Sequence, residues 1–201
     1  MIIKLILCAI AGYLLGSLSG SIITSKLFFN ADIRKQGSGN AGMTNSLRVY
    51  GVGAAIATIV VDVLKSIFAA LIGSHFAGLY GLMAAGGAVM LGHAFPLFFG
   101  FKGGKCVICI AVIGAFVSWQ TVLIAAAVFA VVVLISKIVS LSSCSGMLAA
   151  ILVAALLNVG VAKFIFIAVA CLFVIFLHRS NIVRIINKTE KRITIKGGAK
   201  K

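Results

Sequence analysis

Long apolar runs separated by short polar segments dominate the chain, at residues 2–25, 52–72, 78–99, 106–118, 120–136, 146–162 and 163–177. Most approach the roughly 20 residues that a helix, rising about 1.5 Å per residue, needs to cross a bilayer core. The runs are continuous, whereas the strands of a membrane β-barrel alternate over segments of about ten residues. The pattern therefore predicts an all-α polytopic membrane helix bundle of about seven transmembrane helices. A single integral membrane domain over 1–201 is expected, with a basic cytoplasmic tail at 179–201. The first run, although preceded by Lys4, reads as a span and not a cleaved leader, because it stays apolar and glycine-patterned to Ile23.

Composition agrees, with 62% hydrophobic and 10% charged residues and a mean hydropathy of +1.23, all outside the soluble range. A net charge of +15 on a soluble protein would suggest nucleic acid. Here the cations follow topology instead. Lys26, Arg34, Lys35, Arg48, Lys102, Lys105, Lys137 and the tail from Arg179 fall on one set of alternating connections, and Lys4 and Lys163 on the other. Positive charge marks the cytoplasmic side, which predicts the N-terminus outside and the C-terminus cytoplasmic. The expected macromolecular surroundings are membrane lipid, not nucleic acid.

Polar information is concentrated in NADIRKQGSGNAGMTNSLRVYG (30–51), GHAFPLFFGFKGGK (92–105), SKIVSLSSCSG (136–146) and HRSNIVRIINKTEKR (178–192). All four lie on the predicted cytoplasmic side, whereas the outer connections are short and chemically thin. In the membrane, Gly12, Gly16 and Gly20 form a small-residue ladder suited to close helix packing. Asp62 and Lys65 sit three apart inside an apolar run, where an ionisable group costs about 2.5–3.5 kcal/mol and needs a partner. Mutual pairing is the expectation, with orientation of an active-site base by Asp62 as the alternative. The five cysteines are scattered, and the Cys106/Cys109 pair reads as helix packing rather than a disulfide or metal framework.

GSGNAG (37–42) has the form of a dinucleotide fingerprint but lies in a membrane connection without the βαβ unit that fingerprint requires. Its glycines still expose consecutive backbone N–H groups of the kind that cradle anions. Thr44, Asn45 and Arg48 follow it, so a phosphate loop is expected here. FKGGK (101–105) lacks the spacing of a nucleotide loop, but two cations around two glycines after the only proline, Pro96, imply a shaped loop. His178 and Asn181 lie where the last apolar run meets the cytoplasm, a place for a general base or a phosphate donor. With three acidic residues in all, no metal centre and no cofactor are expected. HxxxxD and GxSxG are both absent, so an enzyme of this composition needs a pre-activated substrate. An organic-phosphate or anion transporter is the alternative class, but it calls for polar residues deep in several spans.

DIRKQGSGNAGMTN with Arg48, GHAFPLFFGFKGGK, VSLSS, and HRSNIVRI with TE, in this order, together resemble the bacterial acyl-phosphate:glycerol-3-phosphate acyltransferases over nearly the full length. The resemblance implies a seven-span bacterial inner-membrane enzyme of phospholipid biosynthesis with its active site on the cytoplasmic face. It implies transfer of a fatty acyl group from acyl phosphate to the sn-1 hydroxyl of glycerol 3-phosphate, giving lysophosphatidic acid, without a metal or an acyl-enzyme. A functional link to a soluble enzyme that makes the acyl phosphate follows from the same resemblance. By matching position, Ser38, Gly39, Asn40, Thr44, Ser142 and Ser143, with the catalytic pair His178 and Asn181, would surround the acyl phosphate. Arg48 and Lys105, assisted by Lys102, would hold glycerol 3-phosphate, and His93, Asn45 and Asp62 are candidate supports. The proton of the attacking hydroxyl would go to substrate phosphate or to His178, and both remain open. The chain departs from the family pattern at Cys106, Ile108 and Cys109, which stand where Gly, Ala and Thr are usual. It departs also at Ser19, Lys137 and Lys188.

Overall fold

The computed structural model describes residues 1–193, and every regular element among them is helical. The α-helices are α1 (Ile2–Gly16), α2 (Gly20–Phe29), α3 (Met43–Tyr50), α4 (Val52–Ala94), α5 (Val107–Ser136), α6 (Val139–Leu156), α7 (Val161–Leu177) and α8 (Arg179–Ile186), with short 3-10 turns at Ile33–Lys35 and Leu97–Phe99. Among the described residues, four helical stretches are long and apolar enough to cross a membrane: Ile2–Phe29, Val52–Phe99, Val107–Ser136 and Val139–Leu156. The α7–α8 pair, bent by 59°, adds a fifth if counted as one broken span. Three of the four are interrupted internally, the first between α1 and α2. At 43 residues, α4 would measure about 65 Å if straight, roughly twice a bilayer core. Ala77 and Gly78 leave helical geometry inside it, and a Cβ on Gly73 would run into the carbonyl of Gly81, so the chain doubles back between them. Ser118 also leaves helical geometry inside α5, with extended backbone at φ −160° and ψ 92°. These breaks account for the gaps between the apolar runs in the sequence.

The chain divides into two compact units, Met1–Trp119 and Gln120–Lys201, the second described to residue 193. In the first, α1 and α2 pack along α4. Their glycine ladder does what its spacing predicts. A Cβ on Gly12 or Gly16 would strike the backbone of Ala85 or Val89, and one on Gly20 would lie 2.6 Å from the carbonyl oxygen of Thr58. Overpacking of this kind typically costs about 1–3 kcal/mol.

Between α1 and α2 the helical hydrogen bonding stops, and buried backbone groups there need partners. Asp62 and Lys65 supply them. Lys65 Nζ donates to the carbonyls of Gly16 (3.2 Å) and Leu18 (2.9 Å), and the Gly20 N–H donates to Asp62 Oδ1 (3.3 Å). The two side chains pair at 2.8 Å and are 2% exposed. The pair thus satisfies both itself and the broken span, the arrangement that makes an intramembrane charge tolerable.

In the second unit α6 packs against α7. The sixth apolar run, read at 146–162, corresponds to a helix from Val139. The serine-rich VSLSSCS forms its first turns because Ser142 and Ser143 donate to the carbonyls of Ile138 and Val139, both at 2.9 Å. The first residues of the basic tail also fold, as α8. Residues 194–201 lie outside the described residues.

Candidate functional site

The 30–51 segment is a loop stapled from within, followed by α3. Asn45 is 1% exposed. Its amide oxygen accepts from the Ser38 N–H (2.9 Å), and its nitrogen donates to the carbonyls of Gln36 (3.0 Å), Asn40 (3.1 Å) and Ile33 (3.2 Å). One side chain therefore shapes residues 33–40. Gly37 and Gly39 sit at φ +63° and +74°, the left-handed region that favours glycine. Ile22, Ile33 and Ala41 bury the loop's underside against Val49, Tyr50 and Phe99. The upper side carries Ser38 and Gly39, both exposed, with Arg48 exposed and Thr44 half-buried on α3. Thr44 and Arg48 are four apart and share a helix face.

Arg34 joins this loop to the next. Its guanidinium pairs with Asp32 at 2.7 Å and donates to the carbonyls of Phe99 and, at 3.2 Å, Lys102. The hydrogen bond from Arg34 holds the Asp32 carboxyl down at about 2. The contact therefore favours the fold fully above the ordinary 3.8 and is lost as pH falls toward 2.

The FKGGK loop is closed by main-chain bonds. The N–H groups of Phe101, Gly103 and Gly104 donate to the carbonyls of Pro96 (2.9 Å), Ala94 (3.0 Å) and His93 (3.0 Å). Tyr13 Oη donates to the Phe95 carbonyl at 2.9 Å, which anchors the loop to α1. Lys102 is exposed and Lys105 half-buried. Cys106 stands where the resembled pattern has glycine, at φ +62° and 1% exposed, with its thiol donating to the Met90 carbonyl at 3.1 Å. A side chain in that region costs about 1–2 kcal/mol. Cys106→Gly should therefore leave stability within about 1 kcal/mol, relief of strain offsetting the lost packing. Cys106→Val, β-branched at positive φ, should lower it by more than about 2 kcal/mol. Thermal unfolding of the three proteins in detergent decides this, and equal stability of the Val and Gly variants would remove the strain argument.

In the second unit His178 terminates α7 and Asn181 lies in the first turn of α8. They are 4% and 7% exposed. His178 Nδ1 lies 2.8 Å from the Val174 carbonyl, which assigns the proton to Nδ1 and makes Nε2 the basic nitrogen. Asn181 Nδ2 donates to Glu190 Oε1 at 2.6 Å, and Ser140 Oγ donates to the same oxygen at 2.8 Å. Arg184 Nε donates to Oε2 at 2.6 Å. Burial raises the Glu190 pKa, but the hydrogen bonds from Asn181, Arg184 and Ser140 outweigh it and hold the carboxyl below its usual range. Ser142 and Ser143 are fully buried, and their hydroxyl protons are committed to main-chain carbonyls.

Asn45 and Asp62 hydrogen-bond to the main chain of the 33–40 loop and of α2, and Cys106 and Cys109 are buried free thiols. Sequence reasoning noted Glu190 only as part of a motif and gave Arg34 no function. Acid scarcity was the available signal. Each of the three carboxylates in the chain, Asp32, Asp62 and Glu190, pairs with a cation.

A family model described as glycerol-3-phosphate acyltransferase matches residues 6–188. A glycerol-3-phosphate acyltransferase of Thermoanaerobacter sp. (strain X514) is 41% identical over 188 residues, covering 94% of this chain and 95% of the relative. One of Listeria monocytogenes serovar 1/2a is 40% identical over 200 residues, covering 96% and 98%. Among solved structures, the glycerol 3-phosphate form of PlsY (YgiH), an integral membrane glycerol 3-phosphate acyltransferase, superposes with a TM-score of 0.88 at 32% identity, covering 94% of this chain and 96% of that one. Its lysophosphatidic acid form gives 0.85 at 31% identity, covering 95% and 96%. With the family model matching residues 6–188, the chain belongs to the glycerol-3-phosphate acyltransferase family, the integral membrane acyltransferases of phospholipid synthesis.

Proposed function

We propose that this acyltransferase takes its acyl group from a fatty acyl phosphate and delivers it to the sn-1 hydroxyl of glycerol 3-phosphate, with release of inorganic phosphate. The observation that carries this reading is a pair of glycine-rich loops bearing cations, the 37–48 segment with Arg48 and the 101–105 segment with Lys105, linked through Arg34. An anhydride donor brings a phosphate leaving group, so two phosphates must be held and no nucleophilic side chain is needed. Positioning supports much of such a reaction, since holding two reactants in register contributes roughly 7–11 kcal/mol.

In this reading Arg48 and Lys105, with Lys102, hold glycerol 3-phosphate. Ser38, Gly39, Asn40 and Thr44 receive the acyl phosphate, with His178 and Asn181 at the reacting group; Ser142 and Ser143 would join them only by giving up their bonds to the Ile138 and Val139 carbonyls. The hydroxyl of glycerol 3-phosphate attacks the acyl carbon, the C–O bond to the leaving phosphate breaks, and the hydroxyl proton passes to that phosphate or to His178 Nε2. The basic connections support a seven-span topology with the N-terminus outside, in a bacterial inner membrane with the chemistry on the cytoplasmic face. A soluble acyl-phosphate-forming enzyme would supply the donor.

Purified protein given acyl phosphate and glycerol 3-phosphate should release phosphate stoichiometrically with lysophosphatidic acid, without added metal. Product formation from acyl thioester but not from acyl phosphate would overturn the donor assignment. Lys105→Ala and Arg48→Ala should each raise the KM for glycerol 3-phosphate by about 10- to 100-fold, the scale of a charge-assisted hydrogen bond. A rise in the KM for acyl phosphate alone would reverse the two phosphate sites.

A further inference from the structure

We propose that His93 is a positioning residue for glycerol 3-phosphate, setting the FKGGK loop from the buried Asp62–Lys65 pair. The inference rests on the reading that gives Lys105 to the substrate phosphate. His93 closes α4 and is 4% exposed. Its Nδ1 lies 2.8 Å from Lys65 Nζ and 3.5 Å from Asp62 Oδ1. An ammonium group only donates, so Nδ1 accepts and the ring proton sits on Nε2. That edge of the ring faces the loops. The point where a Cβ on Gly104 would stand is bordered by His93 Nε2 and by the carbonyl of Ala41. Gly104 of FKGGK therefore sits between the imidazole and Ala41 of GSGNAG.

The main chain of the same residue completes the device. The His93 carbonyl accepts from the Gly104 N–H, and the Ala94 carbonyl from the Gly103 N–H, both at 3.0 Å. Lys105 is the next residue. Behind the ring, Lys65 is held by Asp62 and by the Gly16 and Leu18 carbonyls at the break between α1 and α2. The chain of contacts thus runs from a packed helix pair to the residue before Lys105, through Asp62, Lys65, His93 and Gly104, all four buried. Stability alone does not call for charges here, since buried ion pairs are often replaced by apolar groups without loss. What an apolar replacement would not supply is a directional bond that fixes the ring, and through it the backbone direction at Gly104.

The test is a split of kinetic constants. His93→Gln, which displaces the polar atom from the Nδ1 position, should raise the KM for glycerol 3-phosphate about 10- to 100-fold. The kcat and the KM for the acyl donor should stay within about threefold, as expected when uniform binding of one substrate is lost. His93→Asn, whose amide reaches the Nδ1 position, should recover most of the loss. The double variant Asp62→Asn/Lys65→Met removes both charges together and should show the same KM rise, which keeps the test available if His93→Gln folds poorly.

A merely structural His93 would lower the thermal midpoint without a selective rise in the KM for glycerol 3-phosphate, and that result overturns the proposal. So does a fall in kcat with KM unchanged, which would place the ring at the reacting group. Lys105→Ala is measured beside these variants. If it raises the KM and His93→Gln does not, the positioning role alone fails. If neither raises it, the assignment of Lys105 fails as well.

Discussion

Alanine in place of Glu190 should lower turnover by about as much as alanine in place of Asn181, on the order of 10²-fold if Asn181 acts as a preorganised polar group at the reacting centre. Glu190 lies nine residues beyond Asn181, in the turn after α8, and its carboxylate gathers Ser140, Asn181 and Arg184. A carboxamide is useful only when its donor and acceptor ends are assigned. Glu190 Oε1 takes the Nδ2 donor at 2.6 Å and so fixes which end of Asn181 points elsewhere. Without the carboxylate, Arg184 and Ser140 also lose their shared acceptor and α8 is released from α6. The two substitutions should be strongly non-additive, because the second removes nothing that the first has left in place. Independent losses that multiply in the double variant would show that Glu190 acts on something other than Asn181.

The same carboxylate carries a pH signature. Its folded pKa is depressed below the usual 4.5. The stabilisation it provides is therefore complete above that value and is lost as pH falls through the lower folded value. Glu190→Gln should flatten this acid limb of the stability profile. An unchanged limb would assign it to Asp32, whose own depressed pKa of about 2 covers the same side.

The second large effect is expected from a single methyl group at Gly104. A Cβ there would collide with the His93 ring and the Ala41 carbonyl, neither of which is the free end of a flexible chain. Gly104→Ala must therefore move the FKGGK backbone, the ring, or the GSGNAG loop. Each of these lies next to a group assigned to glycerol 3-phosphate or acyl phosphate. A displacement of about 1 Å in such a site costs about 100-fold. Glycerol 3-phosphate saturation curves should show it chiefly as a higher KM, while Gly100→Ala, at φ +68° but with open space around it, should act mainly through stability. Wild-type kinetics in Gly104→Ala would mean that the loop relaxes without consequence for the substrate.

Much of the candidate site is legible in the sequence. The residues of GSGNAG, Thr44, Arg48, FKGGK, His178 and Asn181 stood out because polar side chains are rare in this chain and fell on one predicted face. The roles of the supports were harder to see. Asn45 looked like one more loop amide, yet it alone satisfies four backbone groups between Ile33 and Asn40. Arg34 looked like an ordinary topology-setting cation, but it bridges two loops whose residues lie 65 and 68 positions away in the chain. The ladder Gly12, Gly16, Gly20 predicted a close helix contact, though not that its partners would be Ala85, Val89 and Thr58 on the two arms of α4.

By itself the sequence determined the solvent and the class of fold, because a hydrocarbon core demands long apolar helices and leaves no alternative compatible with continuous runs. It also predicts which side the cations share, since positive charge marks the cytoplasmic side. Only the tertiary structure decided which polar groups are ligand candidates and which are structural. Hydropathy and spacing report the environment of a residue along its own helix. Hydrogen-bond partnership instead depends on which distant segments meet, as Asp62 and Lys65 meet His93, or Glu190 meets Ser140. That meeting is set by packing around the breaks at 17–19 and 77–78, and no periodicity in the chain encodes it.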